Sequence, residues 1–226
     1  VKAFLKIRLL SDATFGRGDG VVGLVDEEVE YDSETGLPFI RGRTLKGLLV
    51  EECANILFAL TLQSSAQHDQ FEQAAQFLFG QPGSTLVDDG ALHFGAATLP
   101  EKLRIAILQD IRSDRIAPPE VLELLTTIRR QTAIDVSTGA PDEGSLRSMR
   151  VVLRDTPFYA PLRFAQIPGD AAKGLFAACV LTLRRGGTGR NRGRGRLCAR
   201  LLDEKQTDIT KEWFELFRQL IGGSPL

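Results

Sequence analysis

The stretch Gly36 to Glu51, GLPFIRGRTLKGLLVE, leaves the chain few ways to fold. It begins with a turn at Thr35-Gly36, passes through a short apolar strand from Leu37 to Ile40 and breaks at Gly42. A helix then opens at Thr44, whose hydroxyl could accept from the free N–H groups of the first turn. Leu45, Leu48, Leu49 and Cys53 recur at helical spacing and face a core. Arg41, Arg43 and Lys46 crowd the same helix start, where the helix dipole disfavours cations. Two readings follow. An anion such as a phosphate sits on the free N–H groups among these side chains, or the three form a solvated basic edge.

The totals exclude several classes of protein. At 226 residues the chain suits one large domain, or one domain with insertions. A net charge of -1 means that any nucleic-acid binding must come from local segregation of charge. Cys53, Cys179 and Cys198 are odd in number and form no CxxC pair, which indicates neither a zinc site nor a disulfide framework. That usage fits a reducing, cytoplasmic setting. No signal peptide or membrane-length apolar run is evident, and the start at Val1 reads as a trimmed N-terminus.

Lys2 to Leu10 alternates as a half-buried strand, with Ala3, Leu5, Ile7 and Leu9 inward and Lys2, Lys6 and Arg8 outward. Residues 11–35 form a glycine-rich acidic loop containing Arg17 and Asp12, Asp19, Asp26 and Asp32. Loops of this length in a domain are usually functional or disordered. Arg43 to Thr61 and Phe71 to Phe79 read as helices, the second ended by Gly80. Residues 81–90 read as a loop and Leu92 to Ala97 as a strand holding a structural His93. Between Pro100 and Arg130 the pattern is helical. Its last stretch, Glu120 to Arg130, puts Arg129 and Arg130 at the favourable C-terminal end. Thr156 to Ile167 has strand character, and a helix starts near Gly169-Asp170.

Arg184 to Arg196 holds six arginines and five glycines. Arginine neutralises phosphate and glycine lets a backbone approach closely. The spacing matches neither a P-loop nor a dinucleotide fingerprint. A disordered arginine-glycine tail is disfavoured because Leu197 to Leu201 resumes a strand at once. The C-terminal TKEWFELFRQLIGG is a helix with Trp213, Phe214, Phe217 and Leu220 on a core-facing stripe.

G-L-P-F-I-x-G-x-T-L-K-G resembles the G-x-P-Y-I-P-G-S-S-L-K-G signature of the RAMP superfamily, the RNA-binding subunits of CRISPR effector complexes. The resemblance is closest to the repeating backbone subunit of type III complexes, the Csm/Cmr-like members of the Cas-seven family. Arg41 stands where that family often has Pro, and Arg43-Thr44 replaces Ser-Ser. Val25 to Glu30, V-D-E-E-V-E, is similar to the family's V-D-N-P-V-I element, with Glu27-Glu28 in place of Asn-Pro. The match makes Asp26 the aspartate required for target RNA cutting. RNA can be cut by its own 2′-OH, and a carboxylate assists as a base or by holding Mg2+ or Mn2+ against the phosphate. The other reading of Asp26 to Glu30 is a solvated acidic face.

Leu78 to Gly80 resembles the family's L-F-G, and Leu92 to Ala97 its L-x-F-x-D-A, with Ala96 at the aspartate. Ile134-Asp135, Thr138 to Ala140 and Gly144 to Leu146 resemble the family's thumb hairpin, placed at about 131–158. There Leu146 or Met149 would wedge between bases, with Arg147 and Arg150 on phosphates; an ordinary surface hairpin is the alternative. Gly186 to Leu197 resembles the family's C-terminal glycine-rich motif, which implies that Arg190, Arg192, Arg194 and Arg196 contact the guide backbone. Arg17, Arg41, Arg43, Thr44 and Lys46 complete the expected RNA-binding set.

The resemblance implies an α+β fold: a single RAMP domain over 1–226 with a ferredoxin-like, RRM-type core and loop and hairpin insertions. It implies a guide-RNA (crRNA)-binding subunit that positions complementary target RNA and cleaves it through Asp26. A non-catalytic scaffold of the same complex is the alternative. Implied partners are head-to-tail RAMP neighbours, the large polymerase-like signalling subunit and the small helical subunit. Trimming of precursor guide RNA would call for a general-base histidine, and only His68 and His93 are present. The loop from Asp12 to Val21 and the V-D-E-E run point to a divergent system, type III-D.

Overall fold

The computed structural model describes residues 2–21, 25–62, 67–81, 90–132 and 146–222. Its elements are β1 (Lys2–Leu9), α1 (Gly42–Leu62), α2 (His68–Phe79), β2 (Leu92–Phe94), α3 (Glu101–Arg112), α4 (Pro118–Leu125), β3 (Thr126–Gln131), β4 (Arg147–Val152), β5 (Pro157–Phe164), α5 (Asp170–Thr182), β6 (Leu197–Leu202) and α6 (Thr210–Leu220). Four strands form one antiparallel sheet in the order β2-β5-β1-β6. With α1 between β1 and β2 and α5 between β5 and β6, this is the split βαβ-βαβ of a ferredoxin-like core. β3 and β4 form a separate two-stranded sheet.

The alternation of β1 decides which face of the sheet is covered. Leu5, Ile7 and Leu9 are fully buried, as are Phe158 and Ala160 of β5 opposite them. Leu45, Leu49 and Cys53 of α1 and Leu175, Phe176 and Cys179 of α5 close over that face. α5 is apolar nearly all round and buried along most of its length, as a central helix must be. Phe176 anchors an aromatic cluster, with ring centroids 6.1 Å from Phe164, 6.2 Å from Phe94 and 6.5 Å from Phe79. Trp213 and Phe217 of α6 are buried, as their stripe predicts. No described helix is long and apolar enough to cross a membrane.

Three local expectations are corrected. α1 begins at Gly42, and Thr44 lies inside its first turn, donating its N–H to the Arg41 carbonyl at 3.0 Å; Thr44 is therefore not the cap. Gly42 permits the early start. A Cβ there would come within 2.2 Å of the Phe94 carbonyl oxygen, so only glycine lets this helix end abut β2. Leu37 to Ile40 forms isolated bridges, Tyr31 to Pro38 and Ile40 to Ala97, instead of a strand.

The third correction concerns residues 120–130. The helix stops at Leu125, and Thr126 to Gln131 pairs antiparallel with β4, so Arg129 and Arg130 lie on a strand. Thr126, Thr127 and Ile128 are β-branched and favour strand once a partner is at hand. The Thr126 hydroxyl donates to the Leu122 carbonyl at 2.5 Å and closes the helix end. The hairpin strands therefore span 126–131 and 147–152, earlier than expected, and Pro157–Phe164 belongs to the core sheet. The thumb-like motif residues Ile134 to Ser145 lie outside the described residues.

Truncating Phe176 to Ala should remove about 3–5 kcal/mol of stability. Urea denaturation of the chain, comparing midpoints at unchanged slope, checks this.

Candidate nucleic-acid interface and acidic loop

The acidic loop is organised by two carboxylates that point inward. Glu28 is 1% exposed and its carboxylate meets the Arg150 guanidinium at 2.9 Å; Arg150 is itself 8% exposed. Arg150 also donates to the Thr126 hydroxyl, and its carbonyl accepts from Thr14. Glu30 is buried and takes two hydrogen bonds from Arg41, at 2.7 and 2.5 Å. The run from Glu27 to Glu30 is thus not a solvated acidic face.

Ion pairing corrects two expected RNA contacts and burial a third. Arg150 and Arg41 are engaged by buried carboxylates, so each has an internal counter-charge where a phosphate was expected. Met149 is buried, with Arg194 lying 2.5 Å from its sulfur, and offers no wedge. Leu146 remains well exposed at the start of the hairpin's second strand.

The backbone fastens the loop to the hairpin. Asp26 N–H donates to the Ser148 carbonyl at 2.9 Å, and Arg150 N–H donates to the Glu27 carbonyl at 3.0 Å. Glu27 forms a parallel bridge with Met149, so the loop adds itself to the edge of β4. Asp26 stands exposed beyond this seam. Its Oδ2 accepts from the Ser148 backbone N–H at 2.6 Å and from the Ser148 hydroxyl at 3.1 Å. These donors, the backbone one first, hold the Asp26 carboxyl below its ordinary value; Arg147 adds a smaller pull.

The arginine-glycine stretch is an ordered loop laid over α1 and the acidic loop. Arg185 bridges Arg196, and Thr188 N–H donates to the Thr14 carbonyl at 2.8 Å. Gly187 has φ +83°, and a Cβ on it would come 2.4 Å from the Thr14 carbonyl oxygen, so a side chain there would prise the loop away. Arg190 forms a two-pronged pair with Glu51 of α1 at 2.9 and 2.8 Å. The Thr188 hydroxyl donates to Glu27 Oε1 at 2.5 Å.

Together these parts enclose a cleft of about 570 Å³. Asp26 and Glu27 form one wall, Arg147 and Ser148 of β4 a second, and Gly187 to Arg192 a third. Among the expected site residues the cleft brings together Asp26, Arg147, Met149, Arg190 and Arg192. Arg43, Thr44, Lys46, Arg194, Arg196 and Leu146 do not line it. Nor does Arg17, which pairs with Asp19 and lies 5.7 Å from the Tyr31 ring. Ser148, Thr188 and Glu27 are site residues that sequence reasoning missed. No spacing signal could mark Ser148 against Asp26, 122 residues away.

The donor set bears on a metal. Mg2+ binds through one or two carboxylates plus phosphate oxygens and keeps several waters. Asp26, exposed and with one oxygen outside its bonds to Ser148, fits a hydrated cation shared with RNA phosphate and does not make a closed protein cage. Among the described residues, the cluster of three metal-type ligands is His68, Asp69 and Glu72, at the start of α2, and none of them lines this cleft.

The profile of the RAMP superfamily matches residues 6–198, and the chain belongs to that superfamily. No curated protein matches it in sequence. Its fold is that of chains in type III-B assemblies. A chain from the cryo-EM structure of the type III-B Cmr-beta bound to cognate target RNA superposes with TM-score 0.62 at 14% identity, over 94% of this chain and 98% of the other. A chain of the apo-state type III-B Cmr-beta gives 0.61 at 15% identity, over 90% and 98%. These likenesses are to type III-B and lend the type III-D expectation no support.

Breaking the inner pair should be costly. Arg150→Ala, which strands Glu28 in the interior, should lose about 3–5 kcal/mol. Arg147→Ala, three residues before it and exposed, should change stability by less than about 0.5 kcal/mol. Chemical denaturation of the two variants side by side checks the contrast.

Proposed function

We propose that this chain is a guide-RNA-binding backbone subunit of a type III CRISPR interference complex that positions complementary target RNA and cuts it at Asp26, serving antiviral defence in the cytoplasm. The observation that carries the reading is the cleft itself. One exposed carboxylate faces an arginine-rich loop and the end of the β3-β4 ladder farthest from β5, on a fold shared with chains of type III-B assemblies. Arg147 and Arg192 are exposed, and no carboxylate pairs with either among the described residues; both suit backbone phosphates. Arg43, Lys46 and Arg196 lie outside the cleft lining and are proposed as further phosphate contacts.

In the cutting step the target's 2′-OH gives its proton to water and attacks the adjacent phosphorus, closing a 2′,3′-cyclic phosphate, while the 5′-oxygen of the next nucleotide leaves and takes a proton from water. An effective general base has a pKa near the working pH. Asp26, held below the ordinary carboxylate range, is a poor proton acceptor and a good permanent anion. That favours the second of its two roles, holding a divalent cation beside the scissile phosphate. Bound there, Mg2+ or Mn2+ would supply charge neutralisation at the phosphate. RAMP neighbours packed head-to-tail, the large polymerase-like subunit and the small helical subunit are the proposed protein partners.

Asp26→Ala in the assembled complex should slow Mg2+-dependent cutting of a guide-complementary RNA by about 10²-fold or more while leaving target binding intact. Cutting at the wild-type rate would make the subunit a scaffold. Arg192→Ala should weaken RNA binding for all sequences alike and lower the salt slope of log K by about 1. Titration at several salt concentrations reads this directly.

A further inference from the structure

Ser148 grips Asp26 at both ends. Its carbonyl accepts from the Asp26 N–H at 2.9 Å, and its own N–H and hydroxyl both donate to Asp26 Oδ2, at 2.6 and 3.1 Å. An exposed aspartate on a glycine-rich loop would otherwise sample several rotamers. Two donors on a single oxygen set the plane of the carboxylate and leave the other oxygen free of both. The ladder bond from Arg150 N–H to the Glu27 carbonyl holds the next residue, so Asp26 cannot swing away without breaking the seam. The same serine lies in the cleft wall beside Arg147.

We propose that Ser148 is a positioning residue for RNA cutting: its hydroxyl and N–H fix the Asp26 carboxylate so that the remaining oxygen faces the RNA phosphate in the cleft. This rests on the reading of Asp26 as the cutting residue. Removing the hydroxyl leaves the backbone donor alone on Oδ2, so a slower rate at unchanged target affinity reports the placement of the carboxylate.

The test compares Ser148→Ala, Ser148→Thr and Asp26→Ala in the assembled complex, cutting a guide-complementary RNA with Mg2+. Ser148→Ala should cut about 10- to 100-fold more slowly at unchanged target affinity. Ser148→Thr, which keeps a hydroxyl, should restore the rate. If Asp26→Ala abolishes cutting but Ser148→Ala cuts at the wild-type rate, the positioning role is wrong and the functional reading stands. A Ser148→Thr as slow as Ser148→Ala also overturns it, since hairpin distortion then accounts for the loss. If Asp26→Ala cuts normally, the functional reading fails and takes this role with it.

Discussion

The buried pair of Glu28 and Arg150 is the contact on which the candidate site depends. It joins the acidic loop to β4 at a point where both groups have left water. A charge buried this deeply persists only with its partner and with further hydrogen bonds: Arg150 donates to the Thr126 hydroxyl, and Glu28 accepts from the Val29 N–H. The pair therefore specifies one docking of loop on hairpin. With Glu28 placed, Glu27 and Asp26 follow along the seam, and Asp26 emerges at its exposed end beside Ser148. The Glu27-Glu28 sequence, which departs from the family's Asn-Pro, is thus absorbed structurally: one carboxylate is neutralised inside and the other is tied to Thr188.

The ferredoxin-like sheet holds this assembly without taking part in it. β1 delivers the chain into the acidic loop, and β6 receives it from the arginine-glycine loop. Because β1 and β6 are antiparallel neighbours, the two loops leave the same end of the sheet. Contacts such as Gly195 N–H to the Asp12 carbonyl at 2.9 Å fasten them together there. Across β1 from β6, β5 is reached directly from β4, which brings the hairpin to that end as well. An acidic loop, a basic loop and a hairpin from three distant parts of the chain thus share one cleft.

Much of this was legible in advance. The period-two alternation of Lys2 to Leu10, the apolar run of α5 and the stripe of Trp213 and Phe217 are local patterns whose burial follows from amphipathic shape alone. Asp26 was singled out by motif resemblance, and the arginine-glycine loop by its composition with a resemblance beside it. Thr126 to Gln131 was misread because a few β-branched residues after a helix become a strand only when a partner strand arrives. Arg41, Met149 and Arg150 were misassigned for a related reason. Whether a cation meets phosphate or a buried carboxylate is decided by what lies opposite it.

The sequence by itself determined the fold class, the order of most elements and the position of the acidic and basic loops, because these rest on periodicity, turn residues and contiguous motifs. Only the tertiary structure decided which charges are free and which are spent internally. Glu28 with Arg150, Asp26 with Ser148 and Arg190 with Glu51 are each contacts between residues more than a hundred positions apart. Electrostatic energy and pKa depend on distance and burial in space, and no spacing along the chain encodes either.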